Sequence, residues 1–161
     1  MAKYTVIIGR SEEIDVVGTA MGIPAKIDTG AYRSSIHASD IKVTKNKEGV
    51  AELKYNLLGH PCSPVKRPMA TTDFAVVTVR SSTGHEQERY EVKLKVKLGN
   101  KVFTTSFSLS DRTNNVFPVL IGRKTMQNRY LVDVSKTNVN RQQLLKDFGV
   151  TEPRDEEDLE D

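Results

Sequence analysis

The 161-residue chain contains no tryptophan, one cysteine and only 6% aromatic residues, and these shortages exclude several classes of protein. Because Cys62 is the single cysteine, neither an intrachain disulfide nor a four-cysteine zinc site can form, and a reducing compartment, the cytoplasm, is expected. The scarcity of aromatic rings leaves few platforms on which nucleic-acid bases could stack, which disfavours nucleic acid as a partner.

Long apolar runs and nucleotide or metal motifs are missing as well. No stretch approaches the roughly 18 apolar residues of a membrane span, and the first residues hold too short an apolar run for a signal peptide. The chain has no Gly-Lys-Ser/Thr phosphate loop and no His-Glu-x-x-His pair. We therefore expect no membrane partner, no metal ion and no other cofactor.

Charge is distributed unevenly along the chain. Residues 151–161 carry seven carboxylates and one arginine, which leaves 23 basic and 14 acidic residues, a net charge of +9, in residues 1–150. A chain of this length suits a single domain, which we place at residues 1–150. The acidic segment has too little apolar surface to offset its ordering entropy, so residues 151–161 are predicted to be a disordered tail.

Alternating apolar and polar residues predict many strands. The clearest pattern covers Arg89–Leu98, where apolar side chains alternate with Lys93, Lys95 and Lys97. Gly99 and Asn100 then predict a type II′ turn. The return strand carries Phe103, Thr105, Phe107 and Leu109 on one face. Further strands are expected at Tyr4–Ile8, Ile14–Val17, Ala25–Ile27, Ala51–Leu57, Phe74–Val79 and Tyr130–Val134.

Prolines, glycines and caps mark the segments between the strands. The proline-rich stretch Gly59–Pro68 predicts a loop, and Ser81–Gly84 predicts a turn between two long strands. Two short helices are expected, one over Gly122–Asn128 and one N-capped by Asn138 or Asn140. Many strands with few helices indicate a mostly-β barrel or sandwich.

One short motif carries chemistry. The apolar strand at Ala25–Ile27 runs directly into Asp28-Thr29-Gly30. The strand would fix the carboxylate, Thr29 could lock the turn, and Gly30 would let the backbone and a substrate approach closely. The tripeptide alone occurs by chance in on the order of a few per cent of chains this long, so a structural turn is the simpler interpretation of it.

A second segment supports the functional interpretation. Phe117–Ile121 is an apolar run that ends in Gly122, just before the predicted helix and about ninety residues after Asp28. An Asp-Thr-Gly strand end followed by a later apolar strand, a glycine and a helix is the layout of an aspartic protease lobe. The sequence therefore resembles the retropepsin-like fold, which implies a closed acid-protease barrel with one lobe per chain.

Several separated motifs extend this resemblance. The segment KIDTGAYRSSIHA is similar to the signature of a bacterial family of retropepsin-like aspartic proteases that is labelled ATP-dependent zinc protease. Its members are often encoded near ATP-grasp glutamate ligases. The matching segments are Lys26–Ala38, Val79–Gly84 with Arg89 and Tyr90, Ser108–Arg112, Val119–Arg123 and Leu131–Asp133.

The resemblance implies catalysis by paired aspartates. Since the chain has one Asp-Thr-Gly and only enough length for one lobe, we expect a homodimer in which each copy supplies one Asp28. Two carboxylates about 3 Å apart would share one proton and activate water for peptide hydrolysis. Thr29 would brace this dyad across the two-fold axis, and Gly30 would bind substrate backbone.

The residues after the motif are candidates for substrate binding. Ala31, Tyr32 and Arg33 follow the turn, and Arg33 is either a contact for a substrate side chain or a solvated surface residue. With the basic net charge and the link to glutamate ligases, we expect an acidic or glutamate-modified peptide or protein as substrate. A flap over the site is expected from either the loop Gly59–Asp73 or the turn Ser81–Gly84.

Other interpretations stay open at this point. The basic face of Lys93, Lys95 and Lys97 is typical of a solvated strand, but it would also suit a small β-barrel that binds single-stranded nucleic acid. A retropepsin-like domain that binds peptides without cleaving them is a third possibility. His37 is expected to pack or to form a hydrogen bond after the active turn, whereas His60 and His85 are expected in loops.

Overall fold

The computed structural model describes residues 6–80 and 83–149, which form eleven strands and two short helices. Their bounds are β1 Val6–Ile8, β2 Ser11–Val16, β3 Ala20–Ile27, β4 Ser34–Lys45, β5 Ala51–His60, β6 Ser63–Thr71, β7 Phe74–Arg80, β8 Glu86–Leu98, β9 Lys101–Ser110, β10 Val119–Ile121, α1 Arg123–Met126, β11 Tyr130–Val132 and α2 Arg141–Asp147. The predicted tail, residues 151–161, lies outside the described residues. No helix within them is long and apolar enough to cross a membrane.

Six strands close into a barrel, which confirms the predicted mostly-β, acid-protease type of fold. Around the barrel the order is β3, β2, β8, β9, β4 and β10, and β10 closes the ring by pairing with both β4 and β3. Strands β5 and β6 continue the sheet outward from β4, and β7 pairs with β8. Strands β1 and β11 form a separate parallel pair.

The barrel interior is filled by apolar side chains that the alternating strands point inward. Among the most buried are Ile14, Ile23, Ile36, Val96 and Phe107, each at most 1% exposed. Burying side chains of this size stabilises the fold by about 1.5–3 kcal/mol each. A second apolar cluster joins helix α2 to the end of the β5–β6 hairpin through Cys62, Val116, Phe117 and Leu144.

The strongest local predictions are confirmed. Strands β8 and β9 form the expected hairpin, with Val92, Leu94, Val96 and Leu98 buried and Lys93, Lys95 and Lys97 exposed. Both helices form, α1 directly after Gly122 and α2 with Asn140 as its N-cap. The other predicted strands are present within a few residues, although residues 4 and 5 lie outside the described range.

Two predictions are wrong. Gly99 and Asn100 both have positive φ, 54° and 68°, so the hairpin turn is type I′ and not type II′. The segment Gly59–Pro68 is not one loop, because β5 continues to His60 and β6 begins at Ser63. Strand β6 ends the strand order of the sheet, and an edge strand tolerates prolines because one side of its backbone needs no partner.

Strand β4 was not predicted at all, although it has twelve residues. Its first half, Ser34–Ala38, is buried on both faces, so its sequence lacks the alternation of a half-buried strand. It pairs with β5, β9 and β10, and its polar side chains at Ser34, Ser35 and His37 therefore lie inside the fold.

The barrel core gives a first test of the fold. Phe107 lies on β9 opposite both Val92 and Ser34 and is fully buried. We expect Phe107→Ala to lower the free energy of unfolding by about 3–5 kcal/mol because it leaves a cavity. Urea denaturation would measure this loss. The matched change Phe148→Ala, at a ring that is 42% exposed, should cost about 1 kcal/mol or less. Similar losses for the two variants would contradict the assigned core.

Candidate active site

The Asp-Thr-Gly motif lies on residues 28–33, the loop that joins β3 to β4, and we call this segment the crossing loop. Strand β10 lies between these two strands, parallel to β3 and antiparallel to β4, with Ile121 opposite Ile27. The crossing loop therefore has to pass over the end of β10. The amide of Asp28 donates to the carbonyl of Ile121 at 2.9 Å, so the central strand fixes the backbone at the start of the loop.

Local hydrogen bonds orient the Asp28 carboxylate. The backbone N–H of Gly30 donates to Asp28 Oδ1 at 2.9 Å, and the N–H of Ala31 donates to the Asp28 carbonyl at 3.3 Å. Asp28 is half-buried, whereas Thr29 and Gly30 are exposed. The loop thus presents an oriented carboxylate at an accessible surface, as a catalytic or binding carboxylate requires.

Gly122 lies directly beneath the crossing loop. A Cβ at this position would stand 2.6 Å from the Arg33 carbonyl oxygen and 2.7 Å from that of Tyr32. The N–H groups of Arg123 and Lys124 donate to the carbonyls of Ala31 and Tyr32 at 2.8 and 2.9 Å. The backbone conformation does not require glycine, because a φ of −96° suits any residue. The close approach of the two carbonyl oxygens is what requires it.

A chain of hydroxyl groups, buried at Ser34 and Thr125 and half-buried at Thr105, connects the crossing loop to the barrel. Ser34 Oγ accepts the N–H of Gly122 at 3.0 Å and lies 2.6 Å from Thr125 Oγ1. Thr125 Oγ1 in turn lies 3.1 Å from Thr105 Oγ1 on β9. Because buried polar groups are costly unless paired, this chain holds the loop end and α1 in one arrangement.

Two arginines flank the exposed ring of Tyr32. The guanidinium carbon of each, Arg33 and Arg123, lies 5.9 Å from the ring centroid, within cation–π distance. Arg33 also forms an ion pair with Glu91 of β8 at 2.7 Å, in which the Glu91 side chain is only 12% exposed. Arg123 donates to the carbonyl of Thr29 at 3.1 Å. Arg33 is thus engaged by a carboxylate instead of being a solvated surface arginine.

A buried pair of histidines lies beside the first half of β4. His37 and His60 are 4% and 1% exposed, and their rings meet edge to face at 5.2 Å. His60 Nδ1 accepts the N–H of Cys62, and its Nε2 donates to the carbonyls of Arg112 and Asn115 at 2.8 and 2.9 Å. His60 therefore belongs to a buried strand end and not to the predicted loop, whereas His85 does lie in a loop.

Both histidines are held in the neutral state. His37 Nδ1 accepts the N–H of Arg112 at 2.9 Å, so the 3.8 Å approach of Asp111 to the same nitrogen is not a hydrogen bond. Burial lowers the pKa of His60 to about 4 and also lowers the pKa of His37. The prediction that His37 forms a hydrogen bond behind the site is confirmed.

The described residues do not fit a zinc site. Within residues 6–80 and 83–149, no group of three or more His, Cys, Asp or Glu side chains is placed to hold a metal ion. Of the histidines near Cys62, His60 uses both ring nitrogens in hydrogen bonds to the backbone. A zinc ligand needs a nitrogen lone pair, which His60 does not offer in this arrangement.

The site contains residues that sequence reasoning missed. The sequence predicted the six residues Asp28–Arg33, and the structure places all of them on the crossing loop. It did not predict the contributions of Ser34, Thr125 and Arg123, which come from β4 and α1. The sequence does show a glycine and an arginine, Gly122 and Arg123, directly after an apolar strand. The residues around them do not indicate which loop they contact.

A closed six-stranded barrel whose Asp-Thr-Gly loop crosses a later strand defines a lobe of the aspartic-protease type. The comparison with protein families is specific, since residues 7–143 match the RimB-like family, described as retropepsin-like aspartic endopeptidase RimB. The chain belongs to this family.

Curated relatives and a solved structure are also similar to this chain. A probable alpha-L-glutamate ligase of Shewanella pealeana is 32% identical over 73% of the chain and 26% of its own length. One of Desulfotalea psychrophila is 30% identical over 70% and 25%. The chain thus spans about a quarter of these relatives. The crystal structure of Lpg0085 from Legionella pneumophila, of unknown function, has a TM-score of 0.68 and 26% identity and covers 84% of this chain and 98% of that one.

Gly122→Ala should destabilise the fold through the crossing loop. The added Cβ would lie within 2.7 Å of two backbone carbonyl oxygens, which cannot move without shifting the loop. We expect a loss of about 2–3 kcal/mol in urea denaturation. The control Gly84→Ala adds a Cβ into open space at φ +84° and should cost only about 1 kcal/mol. A smaller loss for Gly122→Ala than for Gly84→Ala would contradict the close approach.

The buried histidines should make the fold sensitive to mild acid. Unfolded histidine has a pKa of about 6.5, and that of folded His60 is about 4. His60 thus contributes full stability above about pH 6.5 and loses it as the pH falls toward 4, by up to about 3 kcal/mol. Urea unfolding at pH 7 and pH 4.5 would measure this.

Two variants isolate the histidine contribution. His60→Gln should be less stable than wild type at pH 7, but it should lose less stability between pH 7 and pH 4.5, because the titrating ring is gone. His85→Gln, which also replaces a histidine but at an exposed loop position, is the matched control for the substitution itself. An unchanged slope in His60→Gln would assign the acid sensitivity to other groups and contradict the contribution of His60.

Proposed function

We propose that this chain is one subunit of a homodimeric aspartic endopeptidase, with Asp28 of each copy forming the catalytic dyad. The observation that carries the proposal is the position of Asp28, an oriented carboxylate on the accessible crossing loop of a single lobe. Membership of a retropepsin-like family supports the same chemistry. The site of one subunit supplies one such carboxylate, so a second copy completes it.

The proposed mechanism follows from the charge of two adjacent carboxylates. At about 3 Å they cannot both ionise easily, so they hold one proton between them and titrate as a pair. The ionised carboxylate takes a proton from water as the water oxygen bonds to the peptide carbonyl carbon. The protonated carboxyl donates its proton to the carbonyl oxygen. The carboxyl that gained the water proton then donates it to the amide nitrogen, and the C–N bond breaks. A hydroxyl of the tetrahedral carbon returns its proton to the other carboxylate as the new carboxyl product forms, which restores the shared proton.

The other loop residues have supporting roles in this proposal. Thr29, exposed in the single chain, braces the dyad across the two-fold axis, and Gly30 offers a backbone free of Cβ to the substrate. Ala31, Tyr32 and Arg33 line the approach to the carboxylate. Arg33 forms an ion pair with Glu91, and this pair joins the crossing loop to the base of the β7–β8 hairpin.

The β7–β8 hairpin is the better of the two flap candidates. The other candidate, Gly59–Asp73, begins with a turn that is packed inward, with His60 and Cys62 each 1% exposed, although most of β6 beyond that turn is exposed. By contrast, most side chains of β7 and of the first part of β8 are exposed or half-buried, including Val76 at 57%. A hairpin with few buried contacts can move over a substrate at small energetic cost.

An acidic or glutamate-modified peptide or protein is the substrate class we propose. The net charge of +9 over residues 1–150 favours acidic ligands. Relatives named probable alpha-L-glutamate ligase contain a segment similar to this chain in about a quarter of their length, which connects the domain to glutamate chemistry. One cysteine suits a reducing cytoplasm, where we place the activity.

Asp28→Asn should abolish peptide hydrolysis while it leaves the fold intact. The amide keeps the size of the side chain and can still accept the Gly30 N–H, but it cannot accept the proton of water. We expect the rate to fall by at least about a thousandfold, with a thermal unfolding midpoint near that of wild type. Cleavage of a glutamate-rich peptide, followed by mass spectrometry, is the readout, and full activity in the variant would refute the proposal.

Subunit mixing tests whether the dyad spans two copies. If both carboxylates are needed, exchange of wild type with an equal amount of Asp28→Asn leaves about a quarter of the dimers with two intact aspartates. Activity should fall to this fraction of the wild-type value, normalised to total dimer, whereas independent subunits would retain half. A wild-type chain that binds the peptide without cleaving it would establish the non-catalytic alternative.

A further inference from the structure

Arg123 is an exposed cation that the structure holds beside the candidate catalytic loop. Its side chain begins at the first residue of α1, and its Nη1 donates to the carbonyl oxygen of Thr29 at 3.1 Å. Its guanidinium carbon lies 5.9 Å from the centroid of the Tyr32 ring. Two contacts therefore restrict a side chain that would otherwise be mobile, and both join it to the loop that carries Asp28.

The two arginines beside Tyr32 differ in how their charge is compensated. Arg33 is paired at 2.7 Å with Glu91, so much of its charge is neutralised within the chain. The contacts that the described part of the chain gives Arg123 are a backbone carbonyl and an aromatic ring, which carry no net charge. Of the two, Arg123 is therefore the guanidinium whose positive charge remains available to a ligand.

The geometry of this guanidinium suits a carboxylate. A guanidinium has five N–H donors in a planar fork that matches a carboxylate in two parallel hydrogen bonds. The bond to Thr29 fixes the plane of the fork with one nitrogen and leaves donors for a ligand. The ring of Tyr32, 48% exposed, gives an apolar wall against which the methylene groups of a glutamate side chain can pack.

We propose that Arg123, supported by Tyr32, binds a side-chain carboxylate of the substrate next to the bond that is cleaved. The inference rests on the proposed function, and it assigns the recognition of acidic substrates to Arg123 instead of Arg33. Because Thr29 directly follows Asp28, the recognised side chain belongs to a residue at or adjacent to the scissile bond. Arg123 thereby sets a preference for glutamate or aspartate over their uncharged amides.

Peptide binding to an inactive protein tests this assignment without turnover. In the 161-residue chain that carries Asp28→Asn, the affinities for a blocked hexaglutamate peptide and a blocked hexaglutamine peptide are measured by titration calorimetry. We expect a preference for hexaglutamate, and Arg123→Gln should reduce that preference by about tenfold, as loss of one charge-assisted pair implies. Absence of any hexaglutamate binding to the background protein would overturn the proposal.

Three further variants separate charge recognition from loop structure. Arg123→Lys keeps the charge without the planar fork. Its preference for hexaglutamate should be about threefold higher than that of Arg123→Gln, and thus still below that of the background protein. Lys124→Gln removes the neighbouring exposed cation of α1 and should leave the preference unchanged. The neutral double change Arg33→Gln with Glu91→Gln removes the internal ion pair without a change of net charge, and it should alter the preference less than Arg123→Gln does.

Each alternative result has a defined meaning. An equal loss of affinity for both peptides in Arg123→Gln would show that Arg123 only holds the loop, and it would overturn the proposal. Dissociation of the Arg123→Gln dimer in sedimentation, with an unchanged peptide preference, would place Arg123 at the subunit interface and overturn it as well. A larger effect of the Arg33 and Glu91 double change would return recognition to Arg33.

The same experiments distinguish this inference from the proposed function. A wild-type chain that cleaves peptides, together with an Arg123→Gln variant of unchanged preference, refutes the role of Arg123 alone. A wild-type chain that cleaves neither peptide refutes the endopeptidase proposal, while the ratio of the two affinities still decides whether Arg123 recognises carboxylates.

Discussion

The close contact of Gly122 with the carbonyl groups of Tyr32 and Arg33 is the constraint on which the site depends. Strand β10 enters between β3 and β4, and the loop that joins these strands has to cross its end. Only a residue without Cβ leaves room, since a Cβ would stand 2.6–2.7 Å from those oxygens. The loop can then descend far enough for its carbonyls to accept the first N–H groups of α1. Backbone packing thus fixes the start of the Asp28 loop, and the side-chain contacts of Arg123 and Arg33 add to it.

Beneath this contact the fold contains two clusters of hydrogen-bonded polar side chains, and each cluster supports a different segment. The hydroxyl chain of Ser34, Thr125 and Thr105 satisfies a backbone N–H and joins α1 to the barrel wall. The histidine pair uses ring nitrogens to satisfy backbone groups of the segment that follows β9, near Arg112. The buried guanidinium of Arg112 itself donates to the Phe117 carbonyl and to Ser35. Buried polar groups specify one arrangement when every member is paired. Here the hydroxyl chain fixes α1, and the histidines with Arg112 fix residues 111–118, the segment between β9 and β10.

The sequence predicted the elements that local residue patterns determine, and it did not predict the contacts that form between segments far apart in the chain. The β8–β9 hairpin and both helices followed from alternation, from an N-cap asparagine and from a glycine after an apolar run. The proline rule failed at β6 because it describes central strands, and β6 lies at an edge. Strand β4 was missed because its first half is buried on both faces. The Asp-Thr-Gly loop could be located from sequence, but Arg123 reaches it only through a pairing of strands about ninety residues apart, which no local pattern encodes.

The insertion of β10 between β3 and β4 also determines when this chain can acquire its site during synthesis. The strand that supports Asp28 and the glycine that the loop crosses lie at positions 119–122, about ninety residues after Asp28. Until these residues have been synthesised and have left the ribosome, the Asp28 segment has neither strand β10 to pack against nor the N–H groups of α1 to bind. Contacts of such long sequence separation are slow to form, because the entropy of closing a long loop opposes them. An incomplete nascent chain therefore carries the aspartate without its geometry, and the fold itself delays the formation of the site until the barrel can close.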